Sequence, residues 1–166
     1  MNRRAAPQSS KSPYITAGGY RALQEESRAL WDRRREVTRA LAAAAAEGDR
    51  SENAEYIYRK KELREIDRRI RYLQKRLPEL KVVDSAPCDR QRVYFGARVT
   101  LEDEDGQALT LTIVGADEFD PGSNRISVDS PMARALLRRA VDDEVVVRTP
   151  KGEQRYWLCA IDYESV

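Results

Sequence analysis

The chain has 166 residues, of which 35% are charged and 41% apolar, and its net charge is only +2. It contains no histidine, which removes the commonest general base and the commonest metal ligand. Its two cysteines, Cys88 and Cys159, are too few for a zinc site, and we expect them to be reduced thiols. No apolar run approaches the ~20 residues of a membrane span or resembles the core of a signal peptide, so we expect a cytoplasmic protein.

The small net charge hides a strong asymmetry between the two halves of the chain. Residues 1–87 contain 20 Lys or Arg against 13 Asp or Glu, a net charge of +7, and residues 88–166 contain 10 against 15, a net charge of −5. A basic half indicates a nucleic acid or another polyanion as a partner, although a solvated charged helix has the same composition. At about 150 residues per domain, the length allows one domain or two small ones.

The basic half has the pattern of two helices preceded by a tail. Residues 1–13 are small, polar and basic, which predicts a disordered tail. The first helix is predicted from Tyr20 to Ala46, a stretch without proline or glycine. Its apolar seam recurs every seven residues, at Leu23, Leu30, Val37 and Ala44.

A second helix of similar length is predicted over about residues 52–77. Its apolar residues alternate spacings of three and four, at Leu63, Ile66, Ile70, Leu73 and Leu77. Gly48 stands where a helix-ending glycine belongs, and Pro78 should stop or kink the second helix. We therefore predict that residues 14–80 form an antiparallel coiled-coil hairpin, with arms about 40 Å long at ~1.5 Å per residue.

The acidic half changes to the alternating pattern of strands. Residues 81–91 are predicted to be a linker, and residues 92–166 a small domain. Within it, strands are predicted at 92–101, 108–115, 125–128, 144–149 and 154–163, and Ser130 is predicted to cap a short helix, Pro131–Leu137. The predicted fold class is α+β: a helical hairpin followed by a small β-sheet domain with one short helix.

The turn between the two helices holds the most informative residues. Asp49 and Glu52 stand three residues apart at a helix start, the spacing of a capping box, and Ser51 is another possible cap. The same two carboxylates also suit one shared Mg²⁺, provided that a partner supplies the other ligands. Because basic helices flank this acidic point, the arrangement favours bringing a phosphate chain towards a metal.

Three segments resemble those of one known family. They are Gly48–Tyr56 (GDRSENAEY), residues 61–73 (KELREIDRRIRYL) and residues 126–137 (ISVDSPMARALL). All three resemble bacterial Gre transcript-cleavage factors, and the resemblance extends from about Thr16 to Tyr163. It implies an N-terminal coiled coil, an FKBP-like C-terminal domain and a monomeric factor that binds bacterial RNA polymerase at its secondary channel.

The resemblance also implies an activity and the residues for it. The coiled coil would enter the channel and stimulate the polymerase to cleave the 3′ end of backtracked nascent RNA, without being an enzyme itself. Asp49 and Glu52 would help to hold a Mg²⁺ shared with the polymerase and an attacking water, and Ser51 would orient them. The absence of histidine does not conflict with this, because two-metal hydrolysis uses carboxylates.

Two further groups of residues follow from the resemblance, each with a structural alternative. The RNA-contact candidates are basic residues that otherwise form a solvated face: Arg34, Arg35, Arg39, Lys60, Lys61 and Arg64. Arg34 falls on the seam and has the further alternative of packing across the hairpin. The polymerase-binding candidates are Asp129, Ser130, Pro131 and Met132, whose alternative is a helix cap with Met132 filling the core.

Three other functions remain open at this stage. A non-catalytic Gre homologue would inhibit the polymerase through the same channel, although intact Asp49 and Glu52 argue against it. An FKBP-like fold also allows a peptidyl-prolyl isomerase, but fold does not imply function. A generic coiled-coil RNA-binding module would bind RNA in a salt-sensitive way without polymerase.

Overall fold

The computed structural model describes residues 10–47 and 53–164, and the chain divides into two compact units. The first, the hairpin unit, is Tyr20–Leu80. The second, the sheet unit, combines the N-terminal residues up to Gly19 with the chain from Lys81 onwards. Within the described ranges, no helix combines the length and the apolarity that a membrane crossing needs.

The hairpin consists of helix α1 (Ala17–Ala46) and helix α2 (Ala54–Arg76). The apolar seams meet where Val37 of α1 packs against Ile66 and Ile70 of α2. Contacts between the helices join residues near the turn, such as Asn53 and Ala44, and residues far from it, such as Arg69 and Glu26. This pairing makes the helices antiparallel, as the sequence predicts. Pro78 follows α2 in a 3₁₀ turn, Leu77–Glu79.

The sheet unit is built around five strands. These are β3 (Arg98–Asp103), β4 (Ala108–Val114), β5 (Arg125–Ser127), β6 (Glu144–Thr149) and β7 (Gly152–Asp162). Their order is β5-β4-β3-β7-β6, and every neighbouring pair is antiparallel except β4 and β5. Helix α3 (Pro131–Leu136) packs its buried residues Ala133 and Leu136 into the same core as Val99 and Leu101 of β3. The predicted α+β fold class is confirmed.

Two short strands differ from the prediction. Strand β1 (Tyr14–Thr16) pairs in parallel with strand β2 (Lys81–Val83), with Ile15 opposite Val82. The prediction of a linker at 81–91 is therefore wrong for its first three residues. Strands of three residues have too few positions for a period, and this pair joins segments that are distant in the sequence, so the pattern of neither segment indicates it.

The first predicted strand of the sheet also starts too early. The sequence predicts this strand at 92–101, whereas β3 begins at Arg98. The preceding residues form a turn in which Gly96 has a φ of 85°, a conformation that favours glycine over other residues. Val93 and Ala97 of this segment are nevertheless fully buried in the sheet core. Their apolar pattern therefore reflects burial in a turn rather than a strand.

Candidate functional site

The predicted catalytic and metal-binding residues, Asp49, Ser51 and Glu52, lie outside the described residues. The structure describes the two helix ends that flank them. Helix α1 ends at Ala46, and Asn53 is the N-cap of α2, where its Oδ1 accepts a hydrogen bond of 3.1 Å from the Tyr56 amide. The Nδ2 of Asn53 donates a 2.9 Å hydrogen bond to the Ala44 carbonyl oxygen. One amide side chain thus caps α2 and joins it to the last turn of α1.

The cap on α2 bears on the structural alternative for the turn. A capping box at Asp49 and Glu52 would require the helix to start before Glu52, whereas α2 starts at Ala54. One of the first backbone donors of α2, the Tyr56 amide, already has a side-chain acceptor in Asn53. The N-cap of α2 is therefore Asn53.

An ion-pair network surrounds Glu62, about two helical turns into α2. Glu62 accepts from Arg33 of α1 at 2.6 Å and from Arg59 of α2 at 3.1 Å, and Arg59 also binds Glu55 at 2.7 Å. Burial tends to raise the pKa of Glu62, but the hydrogen bonds from Arg33 and Arg59 outweigh it, and the pKa is lowered. The network keeps Glu62 ionised and occupies both arginines within the hairpin.

Arg34 and Arg35, two of the predicted RNA-contact residues, are paired with acids of the hairpin. The Nε of Arg34 donates to the Asp67 carboxylate at 2.7 Å, across the hairpin, which is the alternative that its seam position suggested. Its guanidinium also lies 5.9 Å from the centroid of the Trp31 ring. Arg35 is exposed and bonds to Asp32 on the same helix. Of the two, Arg34 is the more strongly held by the hairpin itself.

The other four candidates, Arg39, Lys60, Lys61 and Arg64, are exposed. The Nζ of Lys60 lies 5.9 Å from the centroid of the Tyr56 ring. Arg39, Lys61 and Arg64 have no charged partner within residues 10–47 and 53–164. The structure therefore leaves their charges available to a partner, and RNA contact stays a prediction for all six residues.

The basic surface continues along α2 beyond Arg64, the last of the predicted RNA-contact residues. Exposed cations recur at spacings of three and four residues, and together we call them the basic row: Lys61, Arg64, Arg68, Arg71 and Lys75. None of the five has an acidic partner in the described part of the chain. At 3.6 residues per turn, the row faces away from Ile66 and Ile70, and at ~1.5 Å per residue it is about 21 Å long. The same spacing that revealed the apolar seam would have revealed it.

The predicted polymerase-binding residues have structural roles in the sheet unit. Ser130 caps α3 and accepts a 3.1 Å hydrogen bond from the Ala133 amide, and Met132 packs against the core. The Asp129 carboxylate accepts from the Ser12 amide at 2.8 Å, while Pro131 is exposed. The structural alternative thus describes Ser130 and Met132. Binding of polymerase by this turn stays a prediction.

The sheet unit also contains a buried carboxylate that the sequence did not reveal. Glu118 is only 8% exposed and accepts from the Thr16 amide at 3.0 Å, the Gly115 amide at 2.8 Å and Arg125 at 3.2 Å, as well as from the Thr16 hydroxyl. A Cβ on Gly19 would lie 2.1 Å from this carboxylate. We call these residues (Thr16, Gly115, Glu118 and Arg125) the Glu118 cluster. Since its oxygens have several donors, the cluster ties β1 and the start of α1 to the sheet rather than offering a catalytic group.

Comparison with known proteins identifies the class. The N-terminal family model of transcription elongation factors matches residues 13–82, and the C-terminal model of the GreA/GreB factors matches residues 88–163. The chain therefore belongs to the GreA/GreB family of transcription elongation factors.

Within that family, the chain is similar to proteins named transcription elongation factor GreB. It is 55% identical to the one from Pseudomonas aeruginosa, over 98% of both chains, and 54% identical to the one from Xanthomonas axonopodis, over the full length of both. Among solved structures, the GreA factor homolog 1 (Gfh1) of Thermus thermophilus is 26% identical over 92% of this chain and 99% of its own, with a TM-score of 0.43. That score is too low for the superposition to carry an argument.

Proposed function

We propose that this elongation factor stimulates RNA polymerase to cleave the 3′ end of backtracked RNA, and that it supplies carboxylates rather than a complete active site. Asp49 and Glu52 would bind a Mg²⁺ whose remaining ligands come from the polymerase, and Ser51 would orient them. The proposal is carried by the cap on α2: because Asn53 caps this helix, Asp49 and Ser51 are not needed for that purpose.

The donor set fits Mg²⁺. Carboxylate oxygens are its preferred protein ligands, and two of them leave the remaining octahedral positions for water, phosphate and a partner's carboxylates. A Mg²⁺ held there would polarise the scissile phosphate and lower the pKa of a bound water. The chain's own contribution would be to carry the two carboxylates between the helices of the hairpin and to guide the RNA.

The basic row supports the second of these roles. Its five exposed cations lie on one face of α2, whose N-terminal end adjoins the turn with Asp49 and Glu52. Cations that neutralise phosphates provide binding that does not depend on sequence, as a factor acting on any transcript requires. We propose that this row, together with Arg39 and Lys60, follows the phosphates of the extruded RNA, while the α3 turn with Pro131 binds the polymerase surface.

The test is RNA cleavage in arrested elongation complexes with wild-type protein and Asp49→Ala. Losing even an outer-shell partner of a metal site costs about 10–100-fold, so we expect the loss of a direct ligand to be at least as large. Binding to polymerase, measured by competition with labelled wild-type factor, should not change. Glu47→Ala is the matched control, because it removes an acid from the same turn without touching the proposed ligands.

The same experiment separates the competing functions. If Asp49→Ala restarts arrested complexes as well as the wild type does, the assignment of the carboxylates is wrong. If both proteins slow transcription equally and neither stimulates cleavage, the factor is an inhibitor of the polymerase instead.

A further inference from the structure

Tyr58 is unusually exposed for an aromatic residue on such a polar helix. Its exposed fraction is 59%, compared with 41% for Trp31 on α1. Ile57 beside it is 53% exposed, and both belong to the first two turns of α2. This exposed aromatic ring, next to the proposed catalytic turn, can stack its flat face against a partner.

The ring of Tyr58 has an ordered cation beside it. The Arg59 guanidinium carbon lies 5.5 Å from the ring centroid, within the range of a cation–π contact. Arg59 is itself held by Glu55 at 2.7 Å and by Glu62 at 3.1 Å. Because two carboxylates hold the guanidinium, its position beside the Tyr58 ring is fixed. A ligand that binds the ring therefore loses less free energy to the ordering of side chains.

A second, free cation stands one helical turn further along. Lys61 follows Tyr58 by three residues, so their side chains are neighbours on the helix surface. Lys61 is exposed, begins the basic row and has no charged partner among the residues that the structure describes. A ring with a free cation one turn away matches the two parts of a nucleotide, the base and its phosphate.

We propose that Tyr58 stacks on an unpaired base of the extruded RNA while Lys61 contacts the adjoining phosphate. Aromatic side chains within a basic surface are the usual means of binding single strands without regard to sequence. Contact with the surface of a partner protein would account for the exposed ring. It would not account for the free cations that follow the ring along the same helix. This assignment rests on the proposed function, because it requires RNA beside the hairpin turn.

The experiment places 2-aminopurine, whose fluorescence is quenched by stacking, in the backtracked segment of an arrested complex. Full-length factor carrying Asp49→Ala keeps the RNA intact, and Tyr58→Leu or Tyr58→Phe is added to it. We expect Asp49→Ala alone and with Tyr58→Phe to quench the fluorescence, and Tyr58→Leu to abolish the quenching. In an otherwise wild-type factor, Tyr58→Leu should raise the concentration for half-maximal cleavage by about 5- to 150-fold, with little change in the rate at saturation.

Trp31→Leu is the matched control, since Trp31 is also an exposed aromatic beside an arginine but lies on the middle of α1. The assignment is overturned if Tyr58→Leu quenches like the parent, or if Trp31→Leu removes the quenching equally. It is also overturned if Tyr58→Leu weakens binding to polymerase without backtracked RNA by the same factor, which would indicate a protein contact. Failure of the proposed function would instead appear as cleavage that does not depend on Asp49, whatever the fluorescence shows.

Discussion

The hairpin and the sheet unit differ in what stabilises them. Around the sheet, eleven of the described residues form one buried apolar cluster. In α1 and α2, six of the described apolar side chains are buried: Leu23, Val37, Ala44, Ile66, Ile70 and Leu73. Ion pairs such as Arg34–Asp67 and Arg69–Glu26 add to them. Exposed ion pairs contribute about 0–1 kcal/mol each. The hairpin therefore depends on a narrow apolar seam and on ion pairs, and it leaves the basic row exposed.

This difference matches the separate roles proposed for the hairpin and the sheet unit. A rod that enters a channel needs a thin cross-section and charged sides, which limits the apolar area that it can bury. The sheet unit has no such limit, and it uses its buried Glu118 to hold the strand and the first helical turn that lead into the rod. Variants of the sheet core, the Glu118 cluster, the Asn53 cap and the Glu62 ion pairs test this difference between the two units.

The largest loss of stability is expected from Leu101→Ala in the sheet core. Leu101 is fully buried in the apolar cluster, and deletion of a buried leucine side chain to alanine costs about 2–5 kcal/mol. Urea unfolding followed by circular dichroism measures the change. Val146→Ala is the control on the same sheet, because Val146 is 45% exposed. Equal losses for the two variants would contradict the description of the core.

A smaller loss is expected from Glu118→Gln, which keeps the size of the side chain but replaces one acceptor oxygen by a donor. Thr16, Gly115 and Arg125 all donate to this carboxylate, so at least one buried donor loses its acceptor, at about 1–3 kcal/mol. Thermal unfolding and hydrogen exchange of the Thr16 amide report the change. Glu102→Gln, on an exposed position of β3, is the control. An unchanged exchange rate at Thr16 would rule out the proposed tie.

The Asn53 cap is expected to contribute about 1 kcal/mol, the usual cost of replacing a capping residue by alanine. Asn53→Ala removes both the acceptor for Tyr56 and the donor to Ala44. Asn53→Asp separates the two roles, because it keeps the cap and loses only the link to α1. We expect faster exchange of the Tyr56 amide in the alanine variant alone. Fast exchange in both variants would mean that the link, rather than the cap, stabilises the start of α2.

The elements that the sequence predicted correctly are those with a long local period. The spacing of three and four over residues 63–73 identified the face of α2 that is buried in the structure, at Ile66, Ile70 and Leu73. Alternation within the predicted strand 92–101 likewise identified part of β3, where Val99 and Leu101 are buried in the core. In both cases the signal repeats over several turns or residue pairs, so tertiary contacts reinforce what the local pattern already favours.

The features that sequence reasoning missed depend on contacts between distant segments. Glu118 meets Thr16 across 102 positions of the chain, and β1 meets β2 by pairing Tyr14 with Lys81. In the sequence Glu118 is one acid among 28 acidic residues, with no neighbour to mark it as buried. Arg34 shows the same limit for the candidate site, since its pairing with Asp67 depends on the register between the helices. The basic row is different, because its local spacing contained the signal.

The smallest effect is expected from the ion pairs of Glu62, and it should depend on pH. Arg33 and Arg59 lower the pKa of Glu62 in the folded protein against the opposing effect of burial. The stabilisation is therefore fully present above the pKa of an unfolded glutamate, about 4.3, and is lost as the pH falls through the lower folded value. Glu62→Gln should be less stable than the wild type at neutral pH, by less than the Asn53→Ala variant, and the difference should vanish in acid.

Urea unfolding of both proteins between neutral pH and about pH 3 measures this difference. Glu65→Gln controls for the loss of a charge, because Glu65 is exposed on the same helix and has no ion pair in the described part of the chain. High salt should shrink the Glu62 effect, because partly exposed charges are screened. If the difference persists unchanged in acid, side-chain packing rather than charge holds Glu62. The hairpin would then resemble the sheet unit more closely than its ion pairs indicate.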